Sequence, residues 1–260
     1  MIDTHCHLHD SSFYPDKTVQ EDFYQQAIAD DVTMVCVGTD IASSRQAIEF
    51  SNSHQDCFAV VGIHPHDAAS NDVGEIAKLL DRHQNIVAIG EIGLDYFYLN
   101  SPRHAQILQL EAQLQLAVDY NLPVSFHVRE ANNTSDLSVW EDFWPIVENF
   151  SSLKGGVLHS FTDTREQCEE GLSRGFYIGV NGISTFTKDQ QQNSFFDWLP
   201  LENTVLETDA PFLTPAPFRG TMNRPSYVGR VAESTAIRKN VSLSLVSDRT
   251  TANAKQLFAI

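Results

Sequence analysis

The sequence has little positive charge and no long apolar segment. Its 260 residues include 17 lysines and arginines against 34 aspartates and glutamates, a formal net charge of −17. Such a charge repels nucleic acid at long range and argues against a broad basic surface that grips duplex DNA. No apolar run is long enough to cross a bilayer, and no basic and apolar leader opens the chain. We therefore expect a cytoplasmic location and no membrane partner.

Cysteine and glycine are also sparse, and their positions argue against two further classes of protein. The four cysteines, Cys6, Cys36, Cys57 and Cys168, lack the paired spacing of zinc sites, so we predict reduced structural thiols. No glycine-rich phosphate loop follows the first predicted strand, which argues against a dinucleotide-binding sheet. The length and the 42% hydrophobic content suit one domain, residues 1–260.

Eight short apolar runs recur along the chain, separated by polar loops and segments of helical periodicity. The periodicity predicts helices at Ala105–Tyr120 and Glu166–Arg174, for example. This alternation is typical of parallel strands covered by helices, and eight repeats predict an α/β protein with a closed (β/α)8 TIM barrel. An open doubly wound sheet is the alternative. The predicted strands are Met1–Thr4, Thr33–Gly38, Phe58–Ile63, Ile86–Glu91, Pro123–His127, Gly156–His159, Phe176–Val180 and Thr204–Thr208.

Two histidines in the first predicted strand point to a metal site. His5 and His7 are one residue apart, and the period of two in a strand directs both imidazoles to one face. Neutral imidazole nitrogens on one face can share a divalent cation. Cys6 lies between them and faces the opposite side, so we do not expect it to be a ligand.

Four further candidate ligands stand at or just past the ends of other predicted strands. They are Glu91, His127, His159 and Asp209. Because the carboxyl ends of barrel strands converge on one mouth, we expect these side chains to surround one or two divalent cations together with His5 and His7. Mixed nitrogen and oxygen ligands admit Zn, Mn, Co or Mg.

Several motifs, taken in order, resemble the TatD family of metal-dependent deoxyribonucleases over essentially the whole chain. His-x-His alone would fit any member of the wider amidohydrolase superfamily. The motifs are Asp3-Thr4-His5-Cys6-His7-Leu8, Gly62-Ile63-His64-Pro65-His66, Gly90-Glu91-Ile92-Gly93-Leu94-Asp95-Tyr96, Leu122-Pro123-Val124-Ser125-Phe126-His127, Leu206-Glu207-Thr208-Asp209-Ala210-Pro211 and Asn223-Arg224-Pro225-Ser226-Tyr227-Val228.

The resemblance implies a division of the ligands between two metal ions. His5, His7, Glu91 and Asp209 match the ligands of the first ion, with Glu91 placed to bridge to a second. His127 and His159 match the ligands of that second ion. The implied activity is hydrolysis of phosphodiester bonds in DNA.

The acidic composition restricts how DNA could bind. We expect single-stranded or frayed ends to enter a local mouth, and we expect no obligate protein partner. A small-molecule amidohydrolase or lactonase that uses the same metal ligands is the alternative function.

Catalytic and substrate-binding roles are predicted for a few of these residues. Asp209 is expected to orient and deprotonate the attacking water, with Glu91 as the alternative base. Arg129 is expected either to contact a phosphate or to pair with a neighbouring loop. His64 is assigned to the substrate or to ligand support, and Asp95 to orienting a ligand or the substrate.

For the remaining histidines, carboxylates and aromatic residues we predict structural roles or exposed positions. His66 is expected to be peripheral, and Asp3 and Glu207 are expected to support the ligands from deeper in the barrel. Exposed positions are predicted for His9, His54, His83 and His104. Core packing is favoured over base stacking for the aromatic residues Phe143, Trp144, Phe195, Phe196 and Trp198.

Overall fold

Eight parallel strands follow one another in chain order and form a barrel in the computed structural model. The structure describes residues 1–82, 85–131 and 138–260. The predicted (β/α)8 barrel is confirmed. The strands are β1 (Ile2–Cys6), β2 (Thr33–Val37), β3 (Cys57–Val61), β4 (Ile86–Asp95), β5 (Val124–Arg129), β6 (Gly156–Leu158), β7 (Tyr177–Val180) and β8 (Thr204–Leu206).

Helices connect the strands and cover the barrel. They are α1 (Lys17–Ala29), α2 (Ile41–Ser53), α3 (Val73–Leu80), α4 (Arg103–Asp119), α5 (Val139–Glu148), α6 (Arg165–Ser173), α7 (Ile183–Phe186), α8 (Gln190–Trp198), α9 (Val228–Lys239) and α10 (Leu243–Phe258). Seven of them begin at a short polar residue whose side chain accepts a backbone N–H, which satisfies a donor of the first turn. These capping residues are Asp16, Asp40, Asp72, Ser138, Thr164, Asp189 and Ser242. Within the described ranges, no helix combines the length and apolar character that a bilayer span requires.

The strands bury apolar side chains on both faces. In β2, Val35 and Val37 belong to one buried cluster together with residues of other strands, while Met34 and Cys36 pack into the larger cluster beneath the helices. This alternation follows from the period of two in a strand. The aromatic residues Phe143, Trp144, Phe195 and Phe196 are buried, as the core-packing prediction requires.

The barrel closes between β8 and β1 at the level of the predicted ligands. The Asp209 N–H donates to the His5 carbonyl at 2.8 Å, and the His7 N–H donates to the Ala210 carbonyl at 2.8 Å. Asp209 adopts a left-handed backbone with φ of 57°, a region that aspartate tolerates better than most residues. Closure therefore brings the first and last predicted ligands side by side, although some 200 residues separate them in the chain.

The fourth and fifth strands extend beyond their predicted ends. β4 continues past Glu91 to Asp95, and β5 continues past His127 to Arg129. The register pairs Gly93 with His127 and Asp95 with Arg129. Glu91 thus lies inside a strand, where flanking hydrogen bonds fix its backbone.

Gly93 makes the close approach of β4 to β5 possible. Its φ is 152°, and a Cβ atom at this position would lie 1.8 Å from the carbonyl oxygen of His127. Since backbone atoms cannot yield as a flexible side chain can, a larger residue would push the two strands apart. Gly155 also has a positive φ, of 133°, but nothing lies within 4 Å of a Cβ built there.

We predict that Gly93→Ala destabilises the protein far more than Gly155→Ala. Positive φ alone costs a residue with a side chain about 1–3 kcal/mol, and both variants bear that cost. The clash at Gly93 adds about 1–3 kcal/mol or more. Denaturant unfolding followed by circular dichroism would measure the difference, and equal free energies of unfolding for the two variants would contradict the close-approach argument.

Candidate metal centre

A cavity of about 600 Å³ opens at the carboxyl-terminal mouth of the barrel. Five of the six predicted ligands line it, namely His7, Glu91, His127, His159 and Asp209. The sixth, His5, is fully buried beside Glu91. The fold therefore brings all six predicted ligands together.

The carboxylate of Glu91 lies at the centre of four imidazoles. The His127 Nδ1 atom is 2.8 Å from Oε1 of Glu91, and the His5 Nε2 atom is 3.3 Å from Oε2. The Nε2 atoms of His64 and His159 lie 3.6 and 3.7 Å from Oε1. Burial by itself raises the pKa of Glu91, but the surrounding histidines lower it well below the ordinary value. Glu91 is thus a buried ionised carboxylate.

Asp209 provides a second carboxylate on the β1 side of the cluster. Its Oδ1 atom lies 3.4 Å from Nε2 of His7 and 3.9 Å from the Nε2 atoms of His5 and His159. Burial raises the pKa of Asp209, but the hydrogen bond from His7 and the charges of His159 and His5 lower it overall. Both carboxylates of the cluster are therefore ionised at neutral pH.

Outer hydrogen-bond partners determine which nitrogen of each ring faces the cluster. The His7 Nδ1 atom lies 2.7 Å from the Val37 carbonyl, an atom that can only accept, so Nδ1 carries the proton. The His159 Nδ1 atom makes a 3.0 Å ion-pair contact with Glu207. In both residues the Nε2 atom is left to face Asp209, the arrangement that metal-ligating histidines use.

His64 differs from these histidines in its proton position. Its Nδ1 atom accepts the backbone N–H of His66 at 3.1 Å, so the proton of the neutral ring lies on Nε2, toward Glu91. Burial and the neighbouring His127 hold the pKa of His64 well below its ordinary value, so the ring is neutral at pH 7. His64 therefore presents a donor to the cavity, whereas a metal ligand would need a lone pair there.

Asp95 links two histidines from outside the cluster. Its Oδ2 atom lies 3.2 Å from Nε2 of His127 and 3.0 Å from Nε2 of His66, while its Oδ1 atom accepts the backbone N–H groups of Phe97 and Tyr98. The side chain thus orients His127. His66, which the sequence analysis placed at the periphery, belongs to this network and lines the cavity.

The cluster has the chemistry of a divalent cation site. Two triplets of side chains place ligand atoms within 4.8 Å of one another: His5–His159–Asp209 and His5–His7–Glu91. Glu91 and His127 are equally close to His64, whose neutral ring presents a donor instead of a lone pair. Neither ring nitrogen of His5 has a hydrogen-bond partner among the described residues, although the ring is fully buried. A buried polar atom without a partner is costly, and a cation bound at Nε2 would satisfy one. The residues fit such an ion.

The other predicted residues lie around this cluster. Arg129 is exposed at the rim, with its guanidinium 4.4 Å from the Phe97 ring centroid and 4.8 Å from that of Tyr98. Asp3 accepts hydrogen bonds from the backbone N–H and hydroxyl of Thr208. Burial raises the pKa of Asp3 to about 8.

Two histidine predictions are wrong. His9 is buried and its Nε2 atom contacts the Ser43 hydroxyl at 3.2 Å, and His54, which was also predicted to be exposed, is half-buried against the ring of Phe50. His104 is exposed as predicted. His83 lies outside the described residues.

Sequence reasoning did not single out an aromatic pair beside the cluster. Phe13 and Phe212 pack edge to face with ring centroids 5.0 Å apart, and both flank His7 at about 6 Å. Phe13 follows β1 in a loop and Phe212 follows β8, so only barrel closure makes them neighbours. Both line the cavity.

The fold and the site together define a barrel hydrolase of the metal-dependent type. The family model described as TatD related DNase matches residues 2–259, and the chain belongs to this TatD family. The chain is 36% identical over 264 residues to the uncharacterized metal-dependent hydrolase YabD of Bacillus subtilis, covering 100% of this chain and 99% of that protein.

Two further similarities extend this finding. The chain is 32% identical over 269 residues to a Salmonella typhimurium protein named 3'-5' ssDNA/RNA exonuclease TatD, covering 100% of this chain and 99% of that one. The crystal structure of YJJV, a TatD homologue from Escherichia coli, superposes with a TM-score of 0.88 at 27% identity, covering 100% and 98% of the two chains. The predicted family is confirmed.

We predict that metal binding at pH 7 releases protons from the cluster. Burial lowers the pKa of His159, but the charges of Glu207 and Glu91 raise it overall to about 10, and His127 is likewise raised. Because a ligating nitrogen must lose its proton, binding should release roughly one to two protons per chain, and affinity should rise with pH. Calorimetry in buffers of different ionisation enthalpy would measure this release.

Glu207→Gln provides the control for this measurement. The amide keeps the shape of the side chain but removes the charge that raises the pKa of His159, so fewer protons should be released. A binding enthalpy independent of the buffer in the unaltered protein would show that the histidines are already deprotonated, contrary to the prediction.

Proposed function

We propose that this protein hydrolyses phosphodiester bonds of DNA at single-stranded or frayed ends, with one or two divalent cations, Zn, Mn, Co or Mg, as its cofactor. The observation that carries the proposal is the ionised Glu91 carboxylate, surrounded by four imidazoles at an open mouth. Exonuclease names among relatives at 32% identity support a nucleic-acid substrate.

The assignment of the ligands follows the resemblance to the TatD family. His5, His7, Glu91 and Asp209 would hold the first cation, which the distances of 3.3–3.9 Å among their ligand atoms support. His127 and His159 would join Glu91 at the second cation, and their nitrogen atoms lie 2.8 and 3.7 Å from Oε1 of Glu91. Asp95 and Glu207 orient the rings of these two histidines.

Asp209 acts as the general base in this proposal. When bound, the cations polarise the phosphoryl group and lower the pKa of the attacking water toward about 7. The Asp209 carboxylate is ionised and half-buried at the cavity wall, so it can accept the water proton. Glu91, the alternative base, is surrounded by the rings that it holds and has less freedom to take up a proton.

In this proposal His64 and Arg129 donate hydrogen bonds to the phosphate. The neutral His64 ring directs its Nε2–H into the cavity, and Arg129 offers a planar set of N–H groups at the rim. Guanidinium matches phosphate geometry well. Asp95 lies close to both donors. Its side chain contacts His127, which lies beside His64, and its backbone pairs with that of Arg129 across the two strands.

The acidic composition favours a small or single-stranded substrate over duplex interiors. The net charge of −17 repels an extended polyanion, and the ligands are recessed in the cavity. The second candidate is a small-molecule amidohydrolase or lactonase, and the acidic composition suits it as well. The cavity volume of about 600 Å³ is also that of a small-ligand site.

A substrate panel on one preparation tests the proposal. We predict turnover of single-stranded and frayed DNA above duplex DNA, with little turnover of amides and lactones. Salt dependence should be shallow, because few phosphates are contacted. A log–log slope that implies about six to ten phosphate contacts would contradict the local mouth, and faster lactone or amide turnover would select the second candidate.

We predict that a chelator abolishes turnover and that adding a divalent cation restores it, because Asp209 can take the proton only from a water whose pKa a bound cation has lowered. The fold should survive, since the apolar core holds the barrel together. Activity and circular dichroism would be measured before and after chelation. Full activity in protein shown to be metal-free would refute the metal-dependent mechanism.

Asp209→Asn should lose turnover far more than stability. The amide keeps the shape and one ligand oxygen, but removes the charge that accepts the water proton. Loss of a general base typically lowers the rate by about 10²–10⁴-fold. Single-turnover rate and metal content at saturating metal would separate this loss from weaker metal binding.

Asp67→Asn is the matched control for this variant. Asp67 lines the same cavity, but its carboxylate forms no ion pair with a histidine among the described residues. The control should keep most of the activity. A rate near wild type in fully loaded Asp209→Asn protein would leave Asp209 as a ligand only.

A further inference from the structure

A second cavity opens beside the metal cavity at the mouth of the barrel. It encloses about 960 Å³. Val128, Arg129 and Thr162 line both cavities, so the two spaces adjoin along this wall. A chain molecule with one phosphate at the histidine cluster can therefore continue past Arg129 into the second cavity.

Aromatic rings form much of the wall of the second cavity. Phe161 and Phe195 are buried at its base, Trp198 is half-buried, and Phe97 is 42% exposed. The Arg165 guanidinium lies 4.0 Å from the Trp198 ring centroid. Phe97 and Trp198 are the two rings with exposed surface, and each has one face stacked on a guanidinium, of Arg129 and Arg165 respectively. The accessible part of such a ring is a surface on which an unpaired base can stack.

Neutral amides provide hydrogen-bonding groups at the rim. Gln190 and Gln191 are exposed and Gln192 is half-buried on the first turn of α8, and all three line the cavity. An amide carries both donors and an acceptor, as does the edge of a base. The rim can therefore hydrogen-bond to bases without requiring a charged ligand.

The carboxylates of this wall already accept hydrogen bonds from the protein. Glu130 accepts the backbone N–H of Val139, Asp163 accepts the indole N–H of Trp140, and Asp189 caps α8. Arg129, in contrast, stacks on Phe97 and Tyr98 at the junction. These carboxylates keep their charge, and Arg129, which lines both cavities, is the cationic group at the junction that can attract a phosphate.

We propose that the second cavity is a nucleotide subsite, which stacks an unpaired base next to the scissile bond while Arg129 holds the intervening phosphate. This inference rests on the proposed phosphodiesterase function and names the substrate as a strand with at least one unpaired base beyond the cleaved bond. A paired base has its faces covered by neighbours and cannot enter. The subsite therefore gives a physical reason for preferring single strands.

Two neighbouring aromatic residues allow a matched test. Phe97 and Tyr98 both stack on Arg129, but Phe97 lines the second cavity and Tyr98 lines only the metal cavity. Kinetics would be measured on a small diester, bis(4-nitrophenyl) phosphate, and on a five-residue oligothymidylate. Phe97→Ala should lower kcat/KM for the oligonucleotide about tenfold more than for the small diester. Tyr98→Ala should lower both in similar proportion.

A second variant removes a ring without disturbing Arg129. Trp198→Leu should show the same selective loss on the oligonucleotide, and thermal unfolding would verify that each variant is folded. Equal losses on both substrates in Phe97→Ala and Trp198→Leu would overturn the subsite.

A binding measurement separates this proposal from the proposed function. An oligonucleotide carrying 2-aminopurine should lose fluorescence on binding Asp209→Asn protein, because the stacked base is quenched. Adding Phe97→Ala should restore the fluorescence of the bound strand. If the unaltered protein cleaves neither substrate, the proposed function fails, while unchanged quenching in the double variant overturns the subsite alone.

Discussion

The buried charge of Glu91 is the constraint on which the mouth of the barrel depends. Removing an ionised carboxylate from water costs several kcal/mol unless partners compensate for it. The chain supplies that compensation from four imidazoles on or beside four different strands. Three of these rings are also held by a group farther out, whereas His5 stacks on the ring of His159. A substitution of Glu91 would therefore change the electrostatic environment of all four rings.

Backbone geometry keeps this arrangement in register. Glu91 lies within β4, and the close approach at Gly93 brings His127 against it. On the other side, two hydrogen bonds close the barrel beside the ligands, from the Asp209 N–H to the His5 carbonyl and from the His7 N–H to the Ala210 carbonyl. The carboxylates Asp95 and Glu207 then orient His127 and His159. The rigid apolar barrel thus keeps the buried carboxylates and imidazoles of the cluster in fixed positions, including those that repel one another.

Local sequence patterns were sufficient to predict the strand order and the six clustered side chains. Period-two alternation placed His5 and His7 on one face, and the recurrence of polar residues at strand ends located Glu91, His127 and His159. These features depend on short segments of chain. The barrel itself follows from their repetition.

Features that depend on long-range contacts could not be predicted. Strand β4 runs on to Asp95 because it pairs with β5, and no local pattern marks that pairing. The burial of His9 depends on Ser43 in α2, and the aromatic pair of Phe13 and Phe212 depends on barrel closure. Such contacts come from tertiary structure alone.

A crystal structure of the protein crystallised with Mn²⁺ tests most directly the claim that a divalent cation binds at the Glu91 cluster. Anomalous scattering identifies the ion without reference to the surrounding residues. The account predicts a peak against the Glu91 carboxylate, with nitrogen ligands from His5 and His7 or from His127 and His159, and with the His64 ring outside the coordination shell. An ion held only by surface carboxylates, with the Glu91 cluster free of anomalous density, would contradict it.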